Sequence, residues 1–207
     1  MQKNAKKLKK AENMLYFKGN EAFFMVLLVS KNHFFNEKDI ENFEFVEYEN
    51  SLEEIKYVES ETFRHFEMLK AHLRVDGIEI DIDSAYRSLE KQESIFLEQM
   101  RKYGIDYAEE VVAMPGTSEH HTGQAIDFII RKDGKWLVEN DDLLKETEIF
   151  AKIHRALKYF GFILRYPLDK EDITGYKYEP WHIRYVGDDI AMNIGTLTLE
   201  EYIERNK

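Results

Sequence analysis

Residues 78–88 read Ile78-Glu79-Ile80-Asp81-Ile82-Asp83-Ser84-Ala85-Tyr86-Arg87-Ser88, and residues 89–104 continue LEKQESIFLEQMRKYG. The strict apolar/acidic alternation from Ile78 to Asp83 predicts a half-buried strand. Ser88 is then placed to cap a helix running to about Tyr103, with Leu89, Gln92, Phe96 and Met100 on one side and Gly104 as its stop. Upstream, Phe63, Phe66, Met68, Leu69 and Leu73 recur at helical spacing over Glu61–Arg74, and Asp76-Gly77 ends that run. Downstream, Ala125–Ile130 reads as a strand, and Asp133-Gly134 as the turn of a hairpin returning through Lys135–Val138. Thr147–Phe160 carries Ile149, Ile153, Ala156, Leu157 and Phe160 along one helical face before Gly161. Phe162–Tyr166 and His182–Val186 read as strands, and Thr198-Leu-Glu-Glu201 as a capping box. Helices and strands mix without a βαβ rhythm. The expectation is an α+β fold in a single domain, with a small, mostly antiparallel sheet flanked by helices.

The composition is that of one globular domain. The 207 residues are 43% hydrophobic and 14% aromatic, enough for a substantial core. A net charge of −11 argues against nucleic-acid binding, which needs a basic face. The one basic cluster, Lys3, Lys6, Lys7, Lys9 and Lys10, reads as a solvated terminus. Residues 1–21 are expected to be an N-terminal appendage, helical in part, ahead of a domain spanning 22–207. Phe23–Val29 reads as a buried strand. The run from Ala22 to Val29 is too short to cross a bilayer and is followed by no small-residue cleavage site. No integral membrane segment and no leader are therefore expected, and the expected compartment is the cytoplasm. Without cysteine, any metal site must be built from His, Asp and Glu.

Three clusters carry candidate chemistry. In Ser118-Glu-His120-His121-Thr-Gly123-Gln-Ala125-Ile-Asp127, a glycine before a strand lets a loop fold back and bring imidazole to carboxylate, both suited to zinc. The same run also reads as a polar loop ahead of a strand-end charge. In Glu179-Pro180-Trp181-His182, a further histidine offers a third ligand and Glu179 a general base. The alternative is a surface glutamate beside a core Trp-His pair. In Ser84-Ala-Tyr86-Arg87-Ser88, an arginine at a strand-to-helix junction can hold a carboxylate or an oxyanion, or can pair with Asp81 or Asp83. The remaining histidines, His33, His65, His72 and His154, read as helix- or loop-surface residues.

Taken together and in this order, Ser-x-Tyr-Arg-Ser, Ser-x-His-x6-Asp and Glu-Pro-Trp-His-x-Arg-Tyr-Val-Gly resemble the zinc D-alanyl-D-alanine carboxypeptidases of the VanY type. Arg165-Tyr-Pro167, Lys170 and Thr174-Gly-Tyr-Lys-Tyr178 add to the resemblance, which runs from about Leu27 to Tyr202. It implies an α+β fold and one zinc ion per chain held by His120, Asp127 and His182, with Glu179 as base. It implies that Arg87 contacts substrate near the scissile carbonyl, and that Ser118, Gln92 and Tyr166 hold the substrate's terminal carboxylate. The implied substrate is a peptidoglycan peptide or precursor ending in D-Ala-D-Ala. An L,D-carboxypeptidase, a D-Ala-D-Ala dipeptidase and a non-catalytic wall-peptide binder are the alternatives, and the intact Glu179 counts against the last. Ala85 stands where the family commonly has glycine, and His121 where it commonly has glutamine.

Overall fold

Antiparallel pairing organises the chain, and the alternation of apolar residues decides which face of the sheet meets the helices. The computed structural model describes residues 14–18 and 23–206. Strands β1 (Met14–Lys18) and β2 (Phe23–Leu27) form one antiparallel pair, β3 (Phe45–Glu49) and β4 (Ile55–Glu59) a second. Helix α1 (Ser60–Val75) leads into β5 (Glu79–Ser84), α2 (Leu89–Tyr103) and α3 (Ile105–Val111). Strands β6 (Ala125–Lys132) and β7 (Lys135–Leu137) close a hairpin in which Asp133 and Gly134 both take positive φ, as a two-residue hairpin turn requires. Then follow α4 (Asn140–Leu143), α5 (Thr147–Leu157), β8 (Phe162–Leu164), α6 (Glu171–Thr174), β9 (His182–Tyr185), α7 (Asp188–Asn193) and α8 (Leu199–Arg205).

The central sheet runs β5-β6-β9-β8, with β7 on β6, and every pairing in it is antiparallel. The fold is α+β, as the sequence predicts. Phe66 and Leu69 of α1 and Phe150 and Ile153 of α5 pack in one core with Ile126 and Phe128 of β6 and Ile183 of β9. Because side chains alternate along a strand, Asp127 and His182 leave that sheet on the other face. A second core joins Val26 and Leu28 to Ile190 of α7 and to Leu199 and Ile203 of α8. Among the described residues, no helix is long and apolar enough to cross a membrane.

Several expectations need correction. Residues 14–18 are extended and pair with β2, so the appendage is a strand there; the basic cluster at Lys3–Lys10 lies outside the described residues. The strand read as half-buried also buries Asp81, because Tyr48, Ser51 and Lys70 converge on its carboxylate and satisfy it. Arg87 therefore does not pair with Asp81. The helix from Thr147 tightens into a 3-10 turn over Lys158–Phe160. His65 is not a surface residue: it is buried against Tyr185 and bonded through Nδ1 to the Phe160 carbonyl.

Candidate active site

The loop between α3 and β6 carries the first ligand candidate. Ser118 precedes a 3-10 turn, Glu119–Thr122, that ends at Gly123 in the left-handed region (φ +69°). A side chain at Gly123 would run into the Phe45 ring, so glycine is required both for its φ and for the approach of β3. The turn aims His120 inward, where its Nδ1 donates to the Ala85 carbonyl at 2.7 Å. That bond leaves Nε2 as the lone-pair nitrogen, 3.0 Å from Asp127 Oδ2.

Strand register supplies the other two donors. Asp127 on β6 lies directly opposite His182 on β9, and Asp127 Oδ1 sits 2.8 Å from His182 Nδ1. One potential ligand atom from each of His120, Asp127 and His182 lies within 4.8 Å of the other two. Two imidazoles and a carboxylate, facing one point, fit a zinc ion and leave a coordination position for water or substrate. Burial alone would raise the Asp127 carboxyl, but the adjoining His120 and His182 hold it well below the usual carboxylate range. His121, the neighbouring imidazole, turns away: its Nδ1 meets the Arg87 carbonyl and its Nε2 accepts from the Gly116 amide.

Glu179 Oε2 stands 3.8 Å from His182 Nδ1, and burial raises its carboxyl to about 7. His154 Nε2 bonds the Pro180 carbonyl at 2.8 Å, which ties the Glu179-Pro180 loop to α5. Arg87 is held by two 2.8 Å bonds, to Ser84 Oγ and Gln92 Oε1, with its guanidinium 4.0 Å from Asp127. Gln92 is fully buried, and its amide nitrogen donates to the Ala113 carbonyl, so both ends of this side chain are engaged. Tyr166 is buried with its ring 4.7 Å from that of His182, and the Ser118 hydroxyl makes no cap bond to the turn it precedes. Arg87, Gln92, Ser118, Tyr166 and Glu179 line a single cavity of about 260 Å³ together with the three metal-ligand candidates.

Residues 55–188, more than half of the chain, match the family model described as VanY, D-alanyl-D-alanine carboxypeptidase. The chain belongs to this VanY family. It is similar to the putative carboxypeptidase YodJ of Bacillus subtilis, 39% identical over 167 residues, which are 73% of this chain and 55% of that protein. The chain thus spans about half the length of that relative. Among solved structures it is similar to the LD-carboxypeptidase LdcB (35% identity, TM-score 0.73, covering 87% of this chain and 86% of that one). It is likewise similar to a VanY D,D-pentapeptidase variant solved with Zn(II) (31%, TM-score 0.69, 86% and 97% covered), and to VanYB solved with D-alanine-D-alanine (31%, TM-score 0.70, 87% and 98%).

One group in this VanY-family chain was not singled out from the sequence. Glu119, beside His120 in what reads as a polar loop, is fully buried between Arg165 and Arg184. Both arginines stand inside the quoted motifs, but nothing in linear spacing joins them to residue 119.

Proposed function

We propose that the chain is a zinc carboxypeptidase that removes the terminal D-alanine from peptidoglycan peptides or precursors ending in D-Ala-D-Ala. The observation that carries this reading is the convergence of His120, Asp127 and His182 beside Glu179 and Arg87 in one cavity. When bound there, zinc would polarise the scissile carbonyl and acidify water. Glu179, whose carboxyl burial raises to about 7, is in part ionised near neutrality; as the carboxylate it takes a proton from the attacking water and passes it to the leaving amine. Arg87, pre-aligned by Ser84 and Gln92, donates to the oxygen on which negative charge develops. Ser118, Gln92 and Tyr166 lie on the wall where the substrate's terminal carboxylate would be held, Gln92 acting also through Arg87.

A second reading, removal of the D-alanine that follows an L-centre, is favoured by the 35% identity and TM-score of 0.73 with LdcB. Mass analysis after incubation with a D-Ala-D-Ala pentapeptide and with the tetrapeptide separates the two. Loss of one alanine from the pentapeptide is expected; loss from the tetrapeptide alone selects the second reading, and loss from neither refutes both.

The purified chain should bind about one zinc, because the cavity gathers one set of three donors. His182→Ala should weaken metal binding and activity together, and chelation should abolish activity until zinc is returned. Elemental analysis showing no bound metal after zinc supplementation would remove the basis of the site. Peptides ending in an amide should be turned over far more slowly than free acids, since a charge-assisted clamp loses its partner. Equal rates on both would identify an endopeptidase.

A further inference from the structure

Beside the three metal-ligand candidates lies a charged group with almost no solvent exposure. Glu119 is fully buried, with Oε1 accepting from Arg165 Nε at 2.8 Å and lying 3.1 Å from Arg184 Nη1. Arg165 in turn spans to Glu200 on α8, and Arg184 is fixed by the Leu27 carbonyl and Gln124 Oε1. The other Glu119 oxygen, Oε2, has no hydrogen-bond partner, and neither has His182 Nε2. These two buried orphans face each other at 3.8 Å. An unpaired buried acceptor opposite an unpaired buried donor is costly unless function brings them together. The strand explains the meeting: His182 and Arg184 share one face of β9, so a carboxylate fixed by Arg184 is also brought to His182.

We propose that Glu119 is a positioning residue for His182. Nδ1 is directed at Asp127, and with that nitrogen as the metal ligand a neutral imidazole would carry its proton on Nε2. The 3.8 Å separation is longer than a hydrogen bond, and closing it lets Glu119 Oε2 accept from Nε2–H, which fixes the tautomer and the ring plane and strengthens Nδ1 as a metal ligand. Arg165, anchored on α8 through Glu200, holds the carboxylate at this station. The inference rests on the zinc reading above.

In the purified full chain, Glu119→Gln keeps shape but loses charge. Its Zn2+ affinity, measured by competition with a chromophoric chelator, is expected to fall about tenfold to a hundredfold, the range for lost outer-sphere partners of a metal ligand. The visible spectrum of the Co2+-substituted chain should shift. Glu200→Gln removes a carboxylate from the same arginine without facing His182, and is expected to lower thermal stability while leaving the Zn2+ affinity within about twofold. Equal affinity losses in both variants, or none in Glu119→Gln, would overturn the assignment. Should Glu119→Gln not fold, imidazole nitrogen NMR of the zinc-loaded wild type decides: a slowly exchanging proton on His182 Nε2 supports it, and a metallated Nε2 refutes it. A wild-type chain that binds no Zn2+ fails the zinc reading instead, so the two failures are distinct.

Discussion

Glu179→Gln is expected to keep its metal and its substrate affinity while turnover falls by about a hundredfold or more, the scale of a lost general base. The amide preserves size and can still accept a hydrogen bond, but it cannot take a proton from water. Glu179 approaches His182 Nδ1 only to 3.8 Å, whereas Asp127 reaches 2.8 Å, in keeping with the proposed roles of Glu179 as base and Asp127 as ligand. Burial, partly offset by His182, raises the Glu179 carboxyl to about 7. A base must be deprotonated to act, so wild-type kcat/KM should fall as pH drops through that range. A bound cation nearby moves this acid limb lower. The limb should vanish in the glutamine variant. Loss of zinc in Glu179→Gln would make the glutamate a ligand; near-normal turnover would place the base elsewhere.

Arg165→Met is expected to be the most damaging single change to stability. Arg165 is almost wholly buried and neutralises Glu119 and Glu200 at once. Removing the cation while keeping most of the side-chain volume leaves Glu119 with Arg184 alone. Breaking such a buried pair typically costs about 3–5 kcal/mol, or roughly 6–20 °C in Tm for a domain of this size. An exposed pair supplies the control: Arg131 and Glu79 join β6 to β5 in solvent, and Arg131→Ala should change stability by less than about 1 kcal/mol. Chemical denaturation of both variants checks the contrast. A loss below about 1 kcal/mol in Arg165→Met would show that Glu119 does not depend on this arginine.

Elements with strong local punctuation were legible in the sequence. The helix of α2 begins at Ser88, whose hydroxyl accepts from the Lys91 amide, and stops at Gly104; the capping box at Thr198 and Glu201 is present with both of its bonds. The β3–β4 hairpin was not legible. In β3 the exposed positions are Glu47 and Glu49, but in β4 they are Ile55 and Tyr57, so the apolar pattern does not mark the buried face, and the turn is organised by Asn50, whose side chain accepts from the Leu52 and Glu54 amides. That turn has no Asn-Gly or Asp-Gly signal. Asp81 misled for a different reason: an acidic residue in an alternating strand reads as solvent-facing unless its distant partners are known.

The sequence by itself determined the residue types of the candidate site, because an ordered set of His, Asp, Glu and Arg is a chemical inventory that spacing preserves. It also determined the two ends of α2, the start of α8 and the β6–β7 turn, where the decisive interactions lie within four residues. Tertiary structure alone decided which nitrogen of each histidine faces the metal position. That choice depends on the Ala85 carbonyl for His120, and for His182 on Asp127 across the sheet. Tertiary structure also decided the standing of Glu119. Its neighbours in the chain make it look solvated, whereas Arg165 and Arg184, brought in by β8 and β9 pairing, make it a buried anion beside the site. Local chemistry is written in short spacing; the environment that sets a charge's role is assembled from residues tens of positions away, through strand register.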